Sequence, residues 1–211
     1  MTVSCKFCYI FLIGSLIVFA SCHEKDASST PPAKAITVNM NKQDTTKLNA
    51  LLRNMYAWYE TKCIKGDFMP ADPAYDQNSF MGIDFDLHQK KLGQLRNSGF
   101  FSEEFINNYN QIARMIDTSL QTGQTTWLVG DLSPFSTGAD SWCDCQDNPD
   151  NYWETMSVKI TQSNDSSATL LWSWPDKDAY QVEAVKEKGN WKISGMQGFR
   201  YADFAKMRTA Q

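Results

Sequence analysis

Histidine and its neighbouring carboxylates are the residues of this chain best suited to acid–base or metal chemistry, and they are few. The chain has two histidines, His23 and His88. His23 falls in a segment without apolar periodicity, so His88 is the imidazole available to a folded site. Asp84 and Asp86 precede it at two-residue spacing. Because this set matches no established ligand frame, we interpret one of the two aspartates as the N-cap of a helix.

The cysteines offer a second kind of chemistry. Cys143 and Cys145 are separated by one residue, whereas zinc sites usually use paired Cys-x-x-Cys motifs, so a metal site with His88 or Cys63 is not expected. A bond between Cys143 and Cys145 would close a strained small ring. We therefore predict that any disulfide joins Cys63 to Cys143 or to Cys145. The alternative is that all three thiols stay free.

The remaining signals exclude several functional classes. Asp140, Asp144, Asp147 and Asp150 lack the Asp-x-Asp-x-Asp-Gly frame of a calcium loop and are interpreted as a solvated acidic loop. The sequence has no Gly-rich phosphate loop, no Gly-x-Ser-x-Gly elbow and no His-Glu-x-x-His helix. With a formal charge of −4 and no basic stripe, nucleic acid is not an expected partner. No catalytic residue, metal or cofactor is predicted.

Aromatic residues are the chain's most abundant candidates for ligand contact, at 13% of the sequence. Large aromatics more often fill a core than line a pocket, so both interpretations remain open. Phe100 and Phe101 belong to this set. The residues predicted to line a pocket, if one is open, are Tyr56, Tyr59, Trp127, Phe135, Trp153 and Trp172.

The N-terminus has the pattern of an export signal. Lys6 precedes fourteen uncharged, mainly apolar residues, too short a run to span a membrane comfortably. The following Phe19-Ala20-Ser21-Cys22 resembles the lipobox of bacterial lipoproteins, except that Phe19 stands where leucine is usual. The resemblance implies cleavage before Cys22 and lipid attachment to it. Ordinary signal cleavage and an uncleaved anchor are the alternatives.

This pattern predicts the chain's location and domain organisation. Residues 1–21 are interpreted as a signal peptide, residues 22–43 as a flexible tether and residues 44–205 as one domain. The expected location is the cell envelope of a Gram-negative bacterium, on the periplasmic face or at the cell surface. The expected partners are the membrane, through the lipid, and an envelope protein or a small ligand.

Periodicity predicts helices followed by an antiparallel sheet, an α+β domain. The first helix is expected to begin near Asp44 or Thr45, the second to end near Asn97 and the third to be capped by Ser102. A long segment, 124–151, has no clear structure apart from a possible short strand at 125–129, and such segments often face ligands. After Phe199 a short polar tail is expected. The predicted strands are Tyr152–Thr161, Ala168–Trp174, Ala179–Glu187 and Asn190–Met196.

Several short motifs occur in an order that is similar to a family of small bacterial (Bacteroidetes-like) lipoproteins with an uncharacterised domain. They are Met55-Tyr56-Ala57-Trp58-Tyr59, Asp131-Leu132-Ser133-Pro134-Phe135, Gln146-Asp147 and Gly189-Asn190-Trp191-Lys192-Ile193. The resemblance implies an NTF2-like, cystatin-type cone, in which helices lie in the concave face of a curved sheet. The Ser-Trp-Cys-Asp-Cys insert before Gln146 departs from the family pattern. The family has no established activity to transfer.

Three functions are compatible with these signals. The leading prediction is a non-enzymatic, lipid-anchored module that binds a partner protein or a small ligand. The first alternative is an NTF2-like enzyme with Asp84 or Asp131 as general base beside Tyr56 or Tyr59; a buried carboxylate with a perturbed pKa would favour it. The second is a structural envelope protein without a pocket, which an apolar patch on the convex sheet face would favour.

Overall fold

The fold is α+β, with helices before and after a four-stranded antiparallel sheet. The computed structural model describes residues 41–209, so the predicted signal peptide, Cys22 and most of the predicted tether lie outside the described residues. No helix in this range is long and apolar enough to cross a membrane. The elements are α1 (Lys42–Lys62), α2 (Phe85–Ser98), α3 (Glu103–Gln121), α4 (Tyr152–Thr155), β1 (Ser157–Ser163), β2 (Ser167–Ser173), β3 (Tyr180–Glu187), β4 (Asn190–Met196), a 3₁₀ turn (Gln197–Phe199) and α5 (Tyr201–Thr209).

Helix α1 begins earlier than the sequence predicted. Its N-cap is Asn41, whose side chain accepts a hydrogen bond from the backbone N–H of Gln43 at 2.7 Å. Asp44, one of the two predicted caps, is used elsewhere. Its carboxylate accepts hydrogen bonds from Trp191 Nε1 at 2.9 Å and Lys186 Nζ at 3.0 Å, which lower its pKa. The side chain that looked like a cap therefore ties the start of α1 to β3 and β4.

The caps predicted for the next two helices are confirmed. Asp84 accepts a hydrogen bond from the backbone N–H of Leu87 at 2.9 Å, and Ser102 accepts one from Phe105 at 3.2 Å. Both satisfy backbone donors that a helix leaves unpaired at its first turn. Helix α2 ends at Gly99 in the left-handed conformation, with φ 76°.

The sheet is a simple meander with the strand order β1-β2-β3-β4, and each neighbouring pair is antiparallel. Leu170, Trp172, Val182 and Ile193 lie on its buried face, and both α1 and α3 contact β4. The opposite face is mainly polar, with Thr169, Gln181, Glu183 and Ser194. The alternation that the sequence predicted for these strands therefore separates a core face from a solvent face.

The first strand was predicted five residues too early. Tyr152–Thr155 is a turn of helix, and β1 starts at Ser157. Arg53 of α1 explains the difference, because its guanidinium donates hydrogen bonds to the carbonyls of Trp153 at 2.7 Å, Glu154 at 2.8 Å and Met156 at 2.6 Å. These carbonyls are satisfied by a side chain one hundred residues away rather than by a neighbouring strand.

Two further segments differ from the prediction. Residues 125–129 do not form a strand; they make one isolated bridge, between Leu128 and Ser79. The segment after Phe199 is the helix α5 rather than a polar tail. Its Phe204 is buried against Phe68, with ring centroids 5.6 Å apart in an edge-to-face geometry. One apolar anchor in a polar sequence is enough to dock this last helix.

Candidate functional site

Half of the residues predicted to line a pocket are not in one. Tyr56 and Trp172 are fully buried and pack on each other, with ring centroids 4.5 Å apart. Tyr152 stacks on Trp172 at 5.7 Å. Trp153 is half-buried beside Tyr152 and does not line the groove described below. The aromatic side chains between α1 and the sheet are therefore core.

Trp142 closes this core from the side of the long loop. Its side chain has no exposed surface and stacks on Tyr59, with centroids 4.3 Å apart. Tyr56 donates its hydroxyl to the Trp142 carbonyl at 2.7 Å, and Tyr180 donates to the Ser141 carbonyl at 2.6 Å. The Ser-Trp-Cys-Asp-Cys segment therefore carries the tryptophan that inserts into the core.

The disulfide joins Cys143 to Cys145, so the predicted bond from Cys63 to either cysteine is wrong. Asp140 arranges the chain for this short ring. Its carbonyl accepts hydrogen bonds from the N–H groups of Cys143 at 3.2 Å and Asp144 at 2.7 Å, and its own N–H donates to the Cys145 carbonyl at 2.8 Å. Asp144 takes a left-handed conformation, φ 53°, and the two cysteine Cα atoms lie 5.2 Å apart. Cys63 is buried and is not part of a disulfide.

A buried ion pair supports the other side of Trp142. Lys91 of α2 has 2% of its side chain exposed and lies 3.4 Å from the carboxylate of Asp67. Lys91 also donates a hydrogen bond to the carbonyl of Ile64. Asp67 accepts further hydrogen bonds from the Tyr109 hydroxyl at 2.5 Å and from Trp142 Nε1 at 2.8 Å. This carboxylate joins α2, α3 and the long loop.

A groove of about 560 Å³ opens beside this network. One wall is the segment 65–70, the other is the segment 127–141, and α3 and α5 supply the floor. Three of the predicted pocket residues line it: Tyr59, Trp127 and Phe135. The volume falls within the range of small-molecule binding sites. Its other apolar lining residues are Phe68, Met69, Pro70, Phe80, Ile116, Ala139 and Phe204.

The charged groups of the groove are mostly acidic. Asp67, Asp131 and Asp140 line it, with Lys65 as the cation. Lys65 is engaged by Glu60, 2.6 Å away, and its ammonium lies 3.6 Å from the centroid of the Tyr59 ring. The charge of Asp67 is opposed by the buried ammonium described above. No ion pair is found for Asp131 or Asp140 among the described side chains, residues 41–207.

Asp140 has an unusual setting for a carboxylate at a surface groove. One oxygen accepts a hydrogen bond from the Trp142 N–H at 2.8 Å, and the other accepts one from the Tyr59 hydroxyl at 3.3 Å. Surrounding protein atoms desolvate the carboxylate and, with the nearby charge of Asp67, raise its pKa. Asp140 is nevertheless exposed to solvent. The groove therefore holds a carboxylate that is oriented by two hydrogen bonds, partly desolvated and open to a ligand.

An apolar rim is carried by the two loops that contribute to the groove, and Met69 belongs to both the rim and the groove. The rim consists of the exposed side chains Met69, Tyr75, Met81, Leu128, Val129 and Leu132, which comprise all the strongly exposed large apolar residues of the described range except Tyr201. Backbone hydrogen bonds join the two loops that carry them. Phe80 N–H donates to the Trp127 carbonyl and Val129 N–H to the Asn78 carbonyl, each at 2.9 Å. Such a concentration of exposed apolar surface is typical of interaction sites.

Asp84, Asp86 and His88, considered from the sequence as a cluster and interpreted as a helix start, do not converge on a site. Asp84 caps α2. His88 is buried, its Nε2 lies 3.1 Å from Asn110 Oδ1, and burial lowers its pKa. No group of three histidine, cysteine, aspartate or glutamate residues is placed to hold a metal ion in the described part of the chain. Of the two predicted general bases, Asp131 lies on the exposed edge of the groove and Asp84 does not line it.

Four residues at the site were not predicted from the sequence: Asp67, Lys91, Trp142 and Asp140. One signal was available for Lys91. In α2 the buried positions are His88, Lys91, Leu92 and Leu95, so the lysine occupies the apolar face of an amphipathic helix. A charged residue on such a face requires a buried partner. No comparable local signal marks the other three.

Comparison of the chain with protein-family models, with curated proteins and with solved structures found no match. The geometry defines an α+β domain with an apolar, acidic groove.

Proposed function

We propose that this protein is a lipid-anchored binding module of a bacterial cell envelope, whose groove takes a segment of a partner protein or a small ligand. The observation that carries the proposal is that the same two loops supply groove-lining residues and the apolar rim. Met69 belongs to both the groove lining and the rim, and Phe80 and Trp127, which line the groove, are hydrogen-bonded neighbours in the loops that carry the rim. Apolar surface of this kind gains free energy when a partner removes it from water.

The groove can be tested with a neutral apolar probe, Nile red, by titrating the purified protein and following the increase in fluorescence. Ala139 lines the groove and is only half-buried, so Ala139→Phe should fill part of the volume and weaken Nile red binding at least about fivefold. Ala50→Phe, on the exposed face of α1, is the matched control and should leave binding unchanged. Equal binding by both variants would contradict the proposal.

Circular dichroism shows whether Ala139→Phe is folded. A loss of Nile red binding by a folded variant can then be attributed to the filled groove. If Ala139→Phe does not fold, Ser136→Phe on the same wall replaces it, since Ser136 is exposed and lines the groove.

A partner in the envelope can be sought by placing a photo-crosslinking residue in the groove wall at Ser136. A matched position on the polar face of the sheet, Thr169, is the control. A crosslinked band obtained from the groove position and competed by the purified domain supports the proposal. Equal yields from the two positions would count against it.

The anchor has a separate test. Cys22→Ala should move the protein from the membrane fraction to the soluble fraction, because lipid attachment at this residue is the proposed link. Continued membrane association of the variant would refute anchoring through Cys22 and would leave the groove proposal unaffected.

An enzyme is the second candidate, and Asp140 is the observation that favours it. A desolvated carboxylate of raised pKa beside the hydroxyl of Tyr59 resembles the setting of a general acid or base. Burial also raises the pKa of Tyr59, so the phenol stays protonated at neutral pH and supplies a hydrogen-bond donor. A carboxylate and a phenol do not by themselves define a reaction, so binding is the better-supported function.

A pocket-free structural role has less support. It was expected to use an apolar patch on the sheet, and the strongly exposed large apolar residues in the described range lie on the loops and on α5 instead. For the fold, we propose an NTF2-like cone with α1 as its filling. The support is the packing of Tyr56 in α1 on Trp172 in β2 and the contact of both α1 and α3 with β4.

A further inference from the structure

We propose that the occupant of the groove is an extended protein segment that carries apolar side chains and a lysine or arginine, with the cationic group paired to Asp140. This inference rests on the proposed binding function and specifies its ligand.

The groove has more carboxylates than cations to pair with them. Asp67 already has the ammonium of Lys91 at 3.4 Å, and the groove's cation, Lys65, already has Glu60 at 2.6 Å. Both of these residues are therefore neutralised within the protein. Asp131 and Asp140 are left without an ion pair among the described side chains, residues 41–207, so this part of the groove presents net negative charge to a ligand. A cation is the complementary group.

The hydrogen bonds of Asp140 select it over Asp131 as the partner. The Trp142 N–H and the Tyr59 hydroxyl fix the two oxygens of Asp140, and each oxygen keeps a second acceptor site for a donor from the ligand. Both aspartates are exposed, but neighbouring protein atoms partly desolvate Asp140, which strengthens a pair formed there because the effective dielectric is lower than in bulk water. No hydrogen bond orients the carboxylate of Asp131 among residues 41–207, so an ion pair there contributes little.

The apolar rim favours a protein segment over a small molecule. A small ligand fills a concave site and leaves the surrounding surface in water. Here the loops that supply groove-lining residues also carry large exposed apolar side chains, and Leu132 and Tyr75 are 83% and 108% exposed. A chain with alternating apolar side chains can cover the rim and the groove together. Its basic residue would meet Asp140 at the wall.

Three matched peptides test the inference by fluorescence anisotropy with the purified protein. The first is Ser-Leu-Lys-Phe-Leu-Lys-Leu-Ser, labelled at its N-terminus. In the second, glutamate replaces each lysine; in the third, serine replaces each leucine and the phenylalanine. We expect the first to bind at least about tenfold more tightly than either of the others, and to weaken as salt is raised.

Variants locate the charge contact. Asp140→Asn should weaken binding of the lysine peptide about tenfold and leave the glutamate peptide unchanged or slightly tighter. Asp165→Asn, at the exposed β1–β2 turn, removes the same charge elsewhere and should change neither affinity. Equal losses from the two variants would overturn the assignment of Asp140, because they would reflect net charge alone.

The pH dependence gives a second readout. Asp140 must be ionised to pair with a cation, and burial raises its pKa, so affinity for the lysine peptide should increase as pH rises through that raised value. Asp67, Lys65 and Tyr59 are the charged or titratable groups that face it. In Asp140→Asn this increase should disappear; an identical profile in the variant would contradict the inference.

The results distinguish a wrong ligand assignment from a wrong binding site. If Ala139→Phe weakens Nile red binding but the three peptides bind equally, the groove is a binding site and the proposed ligand chemistry is wrong. If Ala139→Phe changes neither probe, the groove proposal itself fails. Binding of the Cys22→Ala protein to phosphatidylcholine vesicles, lost in Leu132→Ser, would assign the rim to a membrane and would also overturn the inference.

Discussion

The buried pair of Asp67 and Lys91 makes an asymmetric prediction about stability. Removing the carboxylate in Asp67→Ala leaves the ammonium of Lys91 2% exposed, with the carbonyl of Ile64 as its remaining hydrogen-bond acceptor. The Tyr109 hydroxyl and Trp142 Nε1 lose their acceptor at the same time. Removing one partner of a buried ion pair lowers the free energy of unfolding by about 3–5 kcal/mol. Because two hydrogen-bond donors also lose their acceptor, we expect a loss of about 4–5 kcal/mol for this variant.

Removing the ammonium has a smaller expected effect. In Lys91→Met the apolar stem of the side chain is largely preserved, and Asp67 keeps its two donors, Tyr109 and Trp142. The carboxylate is also 16% exposed, so solvent can compensate part of the lost charge. We expect Lys91→Met to lower the free energy of unfolding by about 1–2 kcal/mol, near the value of one charged hydrogen bond.

The measurement is equilibrium unfolding in urea, followed by tryptophan fluorescence at neutral pH. For a domain of this size, about 4 kcal/mol lowers the melting temperature by roughly 8–16 °C. The double variant Asp67→Asn with Lys91→Met should be more stable than Asp67→Ala, because asparagine retains an acceptor and no buried cation remains. If Lys91→Met is as damaging as Asp67→Ala, the proposed asymmetry is wrong. If both cost less than about 1 kcal/mol, the pair is not buried.

Three further predictions concern other parts of the chain. Mass spectrometry of an unreduced digest should find Cys143 bonded to Cys145, and replacing both by serine should cost only about 1 kcal/mol of unfolding free energy, because the bond closes a very short loop; any other pairing would contradict the structure. Gly198→Ala should destabilise by more than about 2 kcal/mol, since its Cβ would lie 1.9 Å from a backbone carbonyl of the disulfide loop, whereas Gly93→Ala, with open space around it, should stabilise helix α2 by up to about 1 kcal/mol. Burial lowers the pKa of His88, so the stability it contributes is present above its unfolded pKa of about 6.5 and is lost as pH falls through the lower folded value; a variant with glutamine there should show a flatter dependence of stability on pH.

The histidine prediction has a structural cause beyond desolvation. Nδ1 of His88 is buried and has no hydrogen-bond partner in the described structure. Protonation would place a donor and a charge in that position. A pH profile that is unchanged by the substitution would mean that another group is responsible for any acid sensitivity.

Local signals in the sequence were sufficient for the sheet and for two helix caps. The hairpins of β2, β3 and β4 follow from alternation between short turns, and Asp84 and Ser102 act on backbone donors three residues away. Each of these features depends on neighbours in the chain, and a sequence displays neighbours directly. The class of fold, α+β, follows from them.

The remaining features depend on contacts between distant residues. The helical turn at Tyr152–Thr155 is held by Arg53, and the start of α1 is displaced because Asp44 binds the sheet. The disulfide was predicted incorrectly for a related reason. Ring size argued against Cys143 bonding to Cys145, but hydrogen bonds to the backbone of Asp140 fold the loop so that the two meet.

The candidate site was the least predictable part. Tyr59, Trp127 and Phe135 were identified by residue type, but the same criterion selected Tyr56 and Trp172, which are core. Aromatic composition cannot distinguish a lining residue from a packed one, because both carry large apolar surface.

Three tyrosine hydroxyls hold residues 140–142, which belong to one wall of the groove. Tyr56, Tyr59 and Tyr180 connect this segment to α1 and β3, so it can move only if the core opens. Residues 71–77 carry Tyr75 of the apolar rim, do not line the groove and are mostly exposed. In hydrogen exchange, the hydrogen-bonded amides of residues 142–144 should open only with global unfolding, and those at 71–77 by local fluctuation. Partners of different size would then meet a fixed groove wall and an adjustable section of the rim, so the range of partners could change through residues 71–77 alone.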